Sequence, residues 1–174
     1  MAFVGHYMDK DGLHIDPDKT KAVREMPHPT DKAGIRRLLG MAGYLRKFIP
    51  NFGLNTVNLT NMLRKEVEFE KVWGAAHAAE VEWLKNSLSS PPVLAFPDWS
   101  KQFIVRTDAC KYGLGVSLCQ VQDGKRRPIA YFSRKTVGPE LNYDTRNLEC
   151  LGVKWGCDKC SEWSQGSHFI LEKE

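Results

Sequence analysis

The chain has 174 residues, of which 42% are hydrophobic and 26% charged, and its formal net charge at pH 7 is +4. This length is enough for one ordinary domain or two small ones, and the apolar fraction argues against a disordered chain. No run of about 18 apolar residues occurs and the first residues form no basic leader, so we expect an intracellular protein with no membrane span and no secretory signal. The small excess of 25 basic over 21 acidic side chains permits nucleic-acid binding without requiring it.

The cysteines give little sign of a metal or redox centre. There are five, an odd number, and no second Cys-x-x-Cys pair accompanies Cys157 and Cys160. A zinc site of the usual kind would need a second pair of ligands. We therefore expect free, reduced thiols.

The first predicted elements are a hairpin and a short helix. Residues 3–15 contain two apolar stretches around Asp9-Lys10-Asp11-Gly12, a turn signature that predicts two antiparallel strands. The next segment, Asp16-Pro17-Asp18, supplies an N-cap, a first-turn proline and a first-turn acid. A short helix over residues 19–26 follows, and Pro27 ends it.

A longer helix is predicted to begin after Thr30-Asp31 and to run to Pro50. At about 100° per residue its apolar positions share one face: Ile35, Leu38, Met41, Ala42, Leu45, Phe48 and Ile49. The opposite side carries four cations and two glycines: Arg36, Arg37, Arg46, Lys47, Gly40 and Gly43. Glycine in a helix costs roughly 1 kcal/mol relative to alanine, so a bare strip bordered by cations suggests that a nucleic-acid backbone approaches it. A solvated basic face, with the glycines tolerated or packed against another helix, explains the segment equally well.

The rest of the chain changes from helical to mixed character. Apolar residues at helical spacing predict two more helices, over residues 55–64 and 75–88. Pro91 and Pro92 then open an extended connector. Three short strands follow as an antiparallel meander, at residues 103–107, 114–121 and 127–133. A helix over residues 141–160 and a strand over residues 167–171 complete an α+β fold.

Two carboxylates are candidates for chemistry. Asp108 is predicted at the end of the first meander strand beside a turn, and Glu149 one or two turns inside the following helix. A helix that packs on the meander can bring them together, and oxygen ligands gathered in this way bind Mg²⁺ and support phosphodiester cleavage. However, an Asp near a turn and a Glu in a helix are usually structural or solvated. The pattern alone leaves both interpretations open.

The motifs taken together resemble the reverse transcriptases of gypsy-type LTR retrotransposons, over nearly the whole chain. The N-terminal half matches at Phe3-Val4-Gly5-His6 and over residues 38–52, and the C-terminal half at Thr107-Asp108-Ala109, at Tyr112-Gly113-Leu114-Gly115 and at Glu149-Cys150-Leu151. The resemblance implies a primer-grip hairpin and helical thumb over residues 1–90, a connector over 91–102, and a truncated RNase H-like α/β fold over 103–174.

The resemblance also implies a function. The thumb helix with Gly40, Gly43 and Tyr44 would track the minor groove of a template–primer duplex, and Asp108 and Glu149 would belong to a carboxylate cluster that holds two Mg²⁺ ions. That cluster would cleave the RNA strand of an RNA–DNA hybrid. The implied partners are the hybrid or duplex and the rest of a polyprotein, namely the palm, the C-terminal RNase H part and integrase.

The chain departs from the family pattern in three places. The palm would lie before residue 1, so we expect no DNA synthesis by this chain alone. Glu174 stands where the family has its next Asp, as a weak third catalytic candidate, and Lys173 stands where the family has Thr. Gly152 and Gly156 replace the usual Ala, which predicts a helix weakened by roughly 2 kcal/mol. We therefore expect weak nucleic-acid binding and little or no nuclease activity.

Three functions remain open at this stage. The first is an enzyme fragment that is active only within a longer polyprotein, and the second is a non-catalytic nucleic-acid-binding module. The third is a remnant with no stable fold. Hybrid cleavage, salt-dependent duplex binding and a flat thermal melt would respectively distinguish them.

Overall fold

The computed structural model describes residues 2–3, 6–164, 166 and 168–173. Its strands are β1 (Ala2–Phe3), β2 (His6–Asp9), β3 (Gly12–Ile15), β4 (Phe103–Cys110), β5 (Gly113–Gln122), β6 (Lys125–Lys135) and β7 (Phe169–Lys173). Its α-helices are α1 (Pro17–Arg24), α2 (Lys32–Tyr44), α3 (Val57–Asn61), α4 (Phe69–Val72), α5 (Ala75–Ser87) and α6 (Thr145–Ser164). Short 3₁₀ turns occupy Arg46–Phe48 and Gly138–Asn142. The chain thus has the α+β fold that the sequence predicts.

The N-terminal hairpin and α1 form where local sequence signals place them. Asp9 Oδ1 accepts hydrogen bonds from the backbone N–H groups of Asp11 at 2.8 Å and Gly12 at 3.2 Å, which closes the turn between β2 and β3. Asp16 caps α1 by accepting from the N–H of Asp18 at 3.0 Å. The predicted hairpin and helix are confirmed, and β1 extends the hairpin to three antiparallel strands.

Helix α2 is shorter than predicted. Asp31 caps its start, but the helix ends at Tyr44, because Leu45 has φ −94° and ψ 2° and a 3₁₀ turn follows. The prediction of one helix to Pro50 is therefore wrong. The turn still directs Phe48 into the core, where it is fully buried, so the apolar pattern is satisfied without a continuous helix.

The helical part packs around one apolar core. Buried side chains from the hairpin, α1, α2, α3 and α5 meet there, including Ile15, Val23, Ile35, Leu38, Leu59, Val81 and Leu84. Of the two predicted helices, α5 agrees closely, α3 is only five residues long, and the four-residue α4 between them was not predicted.

The second half forms a four-stranded sheet in the order β6-β5-β4-β7. The predicted meander of β4, β5 and β6 is confirmed, and β7 lies parallel to β4 with Lys173 beside Thr107. Several boundaries differ from prediction, and two of them concern the candidate carboxylates. Strand β4 continues to Cys110, so Asp108 lies inside the strand rather than at its end, and α6 starts at Thr145 after a 3₁₀ turn. The predicted start of the last strand, Ser167, lies outside the described residues.

Helix α6 packs closely on one face of this sheet. A Cβ atom added at Gly152 would lie 3.1 Å from Ala109 Cβ, and one at Gly156 would lie 2.9 Å from Thr107 Cγ2. The two glycines therefore let the helix approach β4, a packing role that the sequence prediction of a weakened helix did not include. Because side chains alternate along a strand, Asp108 lies on the other face of the sheet.

The connector joins the two halves through backbone hydrogen bonds. Leu94 pairs with Leu13 of β3, with N···O distances of 2.8 and 3.0 Å, and the N–H of Ala95 donates to the Pro128 carbonyl in β6 at 2.7 Å. The domain division at residues 91–102 stays a prediction. Within the described part of the chain, no helix is long and apolar enough to cross a membrane.

Candidate nucleic-acid interface and carboxylate pair

One face of α2 is bare and basic. A Cβ atom added at Gly40 or at Gly43 would meet no atom of the described residues within 4 Å, so both glycines border open space there. Arg36 and Arg37 beside them are exposed, and neither forms a hydrogen bond or ion pair with the described residues. No contact within the described part of the chain thus explains why the helix carries glycines here. We call Arg36, Arg37, Gly40, Gly43 and Tyr44 the open face of α2.

Tyr44 lies at the end of this face, and the ring of His6 supports it from the protein side. Its ring is 47% exposed and stacks on the buried ring of His6, with centroids 5.3 Å apart and planes at 4°. His6 also contacts Phe48, at a centroid distance of 5.4 Å. Burial, with help from the nearby Lys47 charge, lowers the pKa of His6, so its ring is neutral at neutral pH. The hairpin thereby supports the aromatic side chain at the end of the open face.

Arg46 and Lys47 do not join the open face, although the sequence predicted them there. The reason is the end of α2 at Tyr44, which rotates the next residues away from the helical periodicity. Arg46 Nη2 donates to the Ser133 carbonyl in β6 at 2.5 Å. Lys47 Nζ lies 5.4 Å from the centroid of the Phe48 ring, and burial lowers its pKa.

Asp108 faces the segment that follows α2 rather than α6. Asn51 Nδ2 donates a hydrogen bond to Asp108 Oδ2 at 3.0 Å. Both residues line a cleft of about 260 Å³ whose other walls include Arg106, Arg126 and Tyr131. Burial raises the pKa of Tyr131 to about 12, so its hydroxyl keeps its proton at neutral pH.

Glu149 pairs with a lysine instead of a second carboxylate. Its Oε2 lies 2.6 Å from Lys173 Nζ, and both side chains are partly exposed. Lys173 comes from β7, the edge strand beside Asp108's own strand. The structure therefore gives the two predicted metal ligands separate partners, Asn51 for Asp108 and Lys173 for Glu149.

The described side chains alone do not assemble a complete Mg²⁺ site. Mg²⁺ requires near-octahedral oxygen coordination, and carboxylates that serve it must have oxygens available. Among the described residues no group of three His, Cys, Asp or Glu side chains is placed to hold a metal ion. The third predicted candidate, Glu174, lies outside the described residues. None of the five cysteines forms a disulfide, and burial raises the pKa of Cys160 to about 12.

Sequence reasoning did not predict the contacts that three residues make at these sites: His6 with Tyr44, Asn51 with Asp108, and Lys173 with Glu149. For Asn51 a weak signal existed, since asparagine is enriched at the left-handed backbone conformation that it adopts with φ +53°. For the other two, nothing in the local sequence indicates the partner. Each contact joins elements far apart in the chain.

Comparisons with known proteins agree with this architecture. A family model described as an RNase H-like domain found in reverse transcriptase matches residues 73–171. The retrovirus-related Pol polyprotein from transposon opus of Drosophila melanogaster is 36% identical over 177 residues, which cover 97% of this chain and 18% of the polyprotein. The corresponding protein from transposon gypsy is 34% identical over 182 residues, with coverage of 97% and 17%.

A fungal relative and two solved structures are also similar. The transposon Tf2-3 polyprotein of Schizosaccharomyces pombe is 33% identical over 152 residues, which cover 87% of this chain and 11% of that protein. The chain thus spans less than a fifth of each of these three polyproteins. The foamy viral protease-reverse transcriptase in complex with dsDNA matches with a TM-score of 0.80 and 17% identity, over 99% of this chain and 36% of that one. Its complex with an RNA/DNA hybrid gives a TM-score of 0.77 at 17% identity, over 99% and 23%.

Proposed function

Because the chain belongs to the retrotransposon Pol polyproteins with an RNase H-like reverse-transcriptase domain, we propose that it binds template–primer or RNA–DNA hybrid duplexes through the open face of α2. One observation supports this most. Gly40 and Gly43 face open space inside a helix and lie beside two exposed arginines. Because glycine weakens a helix, a ligand that contacts the bare backbone would explain why glycine occurs at these two positions.

The chemistry of the open face suits a nucleic-acid backbone. Arg36 and Arg37 supply charges that pair with phosphates and release counterions, which is the main sequence-independent source of affinity. The glycine strip lets a sugar–phosphate ridge approach the helix without meeting a side chain. Tyr44, supported by His6, can then pack against a sugar or base at the end of the contact.

The similar foamy viral structures are complexes with dsDNA and with an RNA/DNA hybrid. At 17% identity these structures are evidence for the fold of this chain. The nucleic acid bound in them supports the proposal only by analogy. The polyprotein partners and an intracellular location, both expected from the sequence, remain proposals of the same kind.

Cleavage of the hybrid's RNA strand with Mg²⁺ is the second candidate function. It would need Asp108 and Glu149 released from Asn51 and Lys173, together with further oxygen ligands. We therefore propose binding without cleavage for this chain. Incubation with a labelled hybrid and MgCl₂ checks this: we expect intact RNA, whereas cleavage that Asp108→Asn abolishes would overturn the assignment.

The binding proposal is tested by fluorescence anisotropy with a labelled RNA–DNA hybrid over a range of salt concentrations. We expect Arg36→Ala with Arg37→Ala to weaken binding roughly tenfold and to lower the slope of log K against log salt by about 1.8, since two phosphate contacts are lost. Lys159 on α6 is the matched control, because it is exposed on the helix that covers the other face of the sheet.

Lys159→Ala removes a charge but should leave the slope nearly unchanged. A loss for this single-charge control about half as large as that of the double variant would mean that binding depends on net charge alone. In that case the open face of α2 would have no special role, and the proposal would fail.

A further inference from the structure

We propose that Asp108 docks the segment after α2 onto the sheet, and that in this chain it does so in place of holding a metal ion. The proposal goes beyond nucleic-acid binding and does not depend on it. Its starting point is the hydrogen bond from Asn51 Nδ2 to Asp108 Oδ2, 3.0 Å long and spanning 57 residues of sequence. Because this contact is partly buried, water competes for it less than at an open surface.

The Asn51 side chain fits into a space on the sheet that the absent side chain of Gly115 leaves. Gly115 is the residue directly opposite Asp108 across β4 and β5. A Cβ atom at Gly115 would collide with Asn51 Oδ1, so only glycine leaves room for the carboxamide there. Asn51 itself has a left-handed backbone conformation, φ +53°, which asparagine tolerates better than most residues.

The residues after Asn51 continue the same close contact. The N–H of Gly53 donates to Ser133 Oγ at 2.8 Å, and a Cβ atom at Gly53 would lie 3.3 Å from the backbone of Arg134. On the sheet side, a Cβ atom at Gly113 would lie 3.2 Å from Leu54 Cδ2. The segment thus lies directly on β5 and β6, and the glycines on both surfaces make this close contact possible.

Both carboxylates that the family resemblance assigns to a metal ion have a protein partner here. Asp108 Oδ2 accepts from Asn51 Nδ2, and Glu149 Oε2 lies 2.6 Å from Lys173 Nζ. The residue that marks the family's nuclease site therefore joins the helical half of this chain to its sheet.

Thermal unfolding of the whole chain tests the docking role. We expect Asp108→Ala and Asn51→Ala each to lower Tm by roughly 3–6 °C, and the double variant to lower it no further than the worse single one. Asp108→Asn keeps an acceptor oxygen and should stay near wild type. As a control pair, Asp108→Ala with Asp9→Ala should show additive losses, because Asp9 bonds within its own hairpin.

Gly115→Ala provides an independent test if the Asp108 variants fold poorly. It should lower Tm in the wild type but much less in the Asn51→Ala background, where the colliding carboxamide is gone. Additive losses for Asn51→Ala and Asp108→Ala, or an equal cost of Gly115→Ala in both backgrounds, would refute docking. A rise in wild-type Tm with MgCl₂ that Asp108→Asn abolishes would show that Asp108 holds a metal ion instead.

Discussion

Two helices in this chain each carry a pair of glycines beyond their first turn, and the pairs have opposite surroundings. In α2, Cβ atoms at Gly40 and Gly43 would meet none of the described residues within 4 Å. In α6, Cβ atoms at Gly152 and Gly156 would lie 3.1 Å and 2.9 Å from side chains of β4. The first pair leaves a surface bare for an external ligand, and the second lets a helix approach its own sheet.

The comparison shows why a glycine in a sequence has no single meaning. Sequence reasoning left the α2 pair open between ligand approach and a solvated or packed face, and it interpreted the α6 pair as weakening the helix. For α2 the structure shows the open strip that such a ligand needs. For α6 it shows an internal partner, so the helix-propensity cost is offset by closer packing.

The largest effect expected from this comparison is at Gly156. Gly156→Ala should reduce the free energy of unfolding by about 1–2 kcal/mol, because overpacking against Thr107 and Val116 outweighs the gain in helix propensity. Urea unfolding followed by circular dichroism measures this change. An increase in stability would mean that α6 can move away from the sheet at little cost, and the packing explanation would then be wrong.

The same substitution in α2 should have the opposite sign. Gly40→Ala should raise the free energy of unfolding by up to about 1 kcal/mol, because nothing surrounds the added methyl group. Gly40→Leu should also fold stably, yet weaken hybrid binding about tenfold by filling the strip. A stable Gly40→Leu variant that binds like the wild type would show that the bare strip is not a contact surface.

A smaller effect is expected at the junction between the two halves, where Lys135 Nζ donates to the Val57 carbonyl at 3.0 Å. Burial lowers the pKa of Lys135 to about 8 from its ordinary 10.5, so between these values the unfolded chain binds more protons than the folded one. The free energy of unfolding should therefore gain a favourable contribution from Lys135 as pH rises through this window. Lys135→Met should lose that contribution in urea titrations at several pH values, and identical pH profiles would contradict the burial of the charge.

Local signals explain what the sequence could predict. Asp16 and Asp31 sit before helices as capping residues, and the Asp9–Gly12 turn closes a hairpin, each through contacts within a few residues. The meander likewise follows from short turns between strands of suitable composition. These elements were predictable because their causes lie inside the element.

Long-range packing explains what the sequence could not predict. The end of α2 at Tyr44 depends on where Phe48 and Ile49 enter the core, and helical periodicity alone continues past it. The partners of the two carboxylates also come from other elements: Asn51 lies 57 residues from Asp108, and Lys173 of β7 pairs with Glu149 of α6. Matching motifs identified which residues the family uses but not which neighbours this chain gives them.

Photo-crosslinking locates the bound nucleic acid most directly. Ala33 is exposed and shares the helical direction of Arg37, Gly40 and Tyr44, whereas Lys159 is exposed on α6. Benzoylphenylalanine placed at either position and irradiated with a bound RNA–DNA hybrid reports which surface the hybrid touches. We expect a crosslink from position 33 that high salt suppresses, and none from position 159. Crosslinking from position 159 alone would contradict binding through the open face of α2.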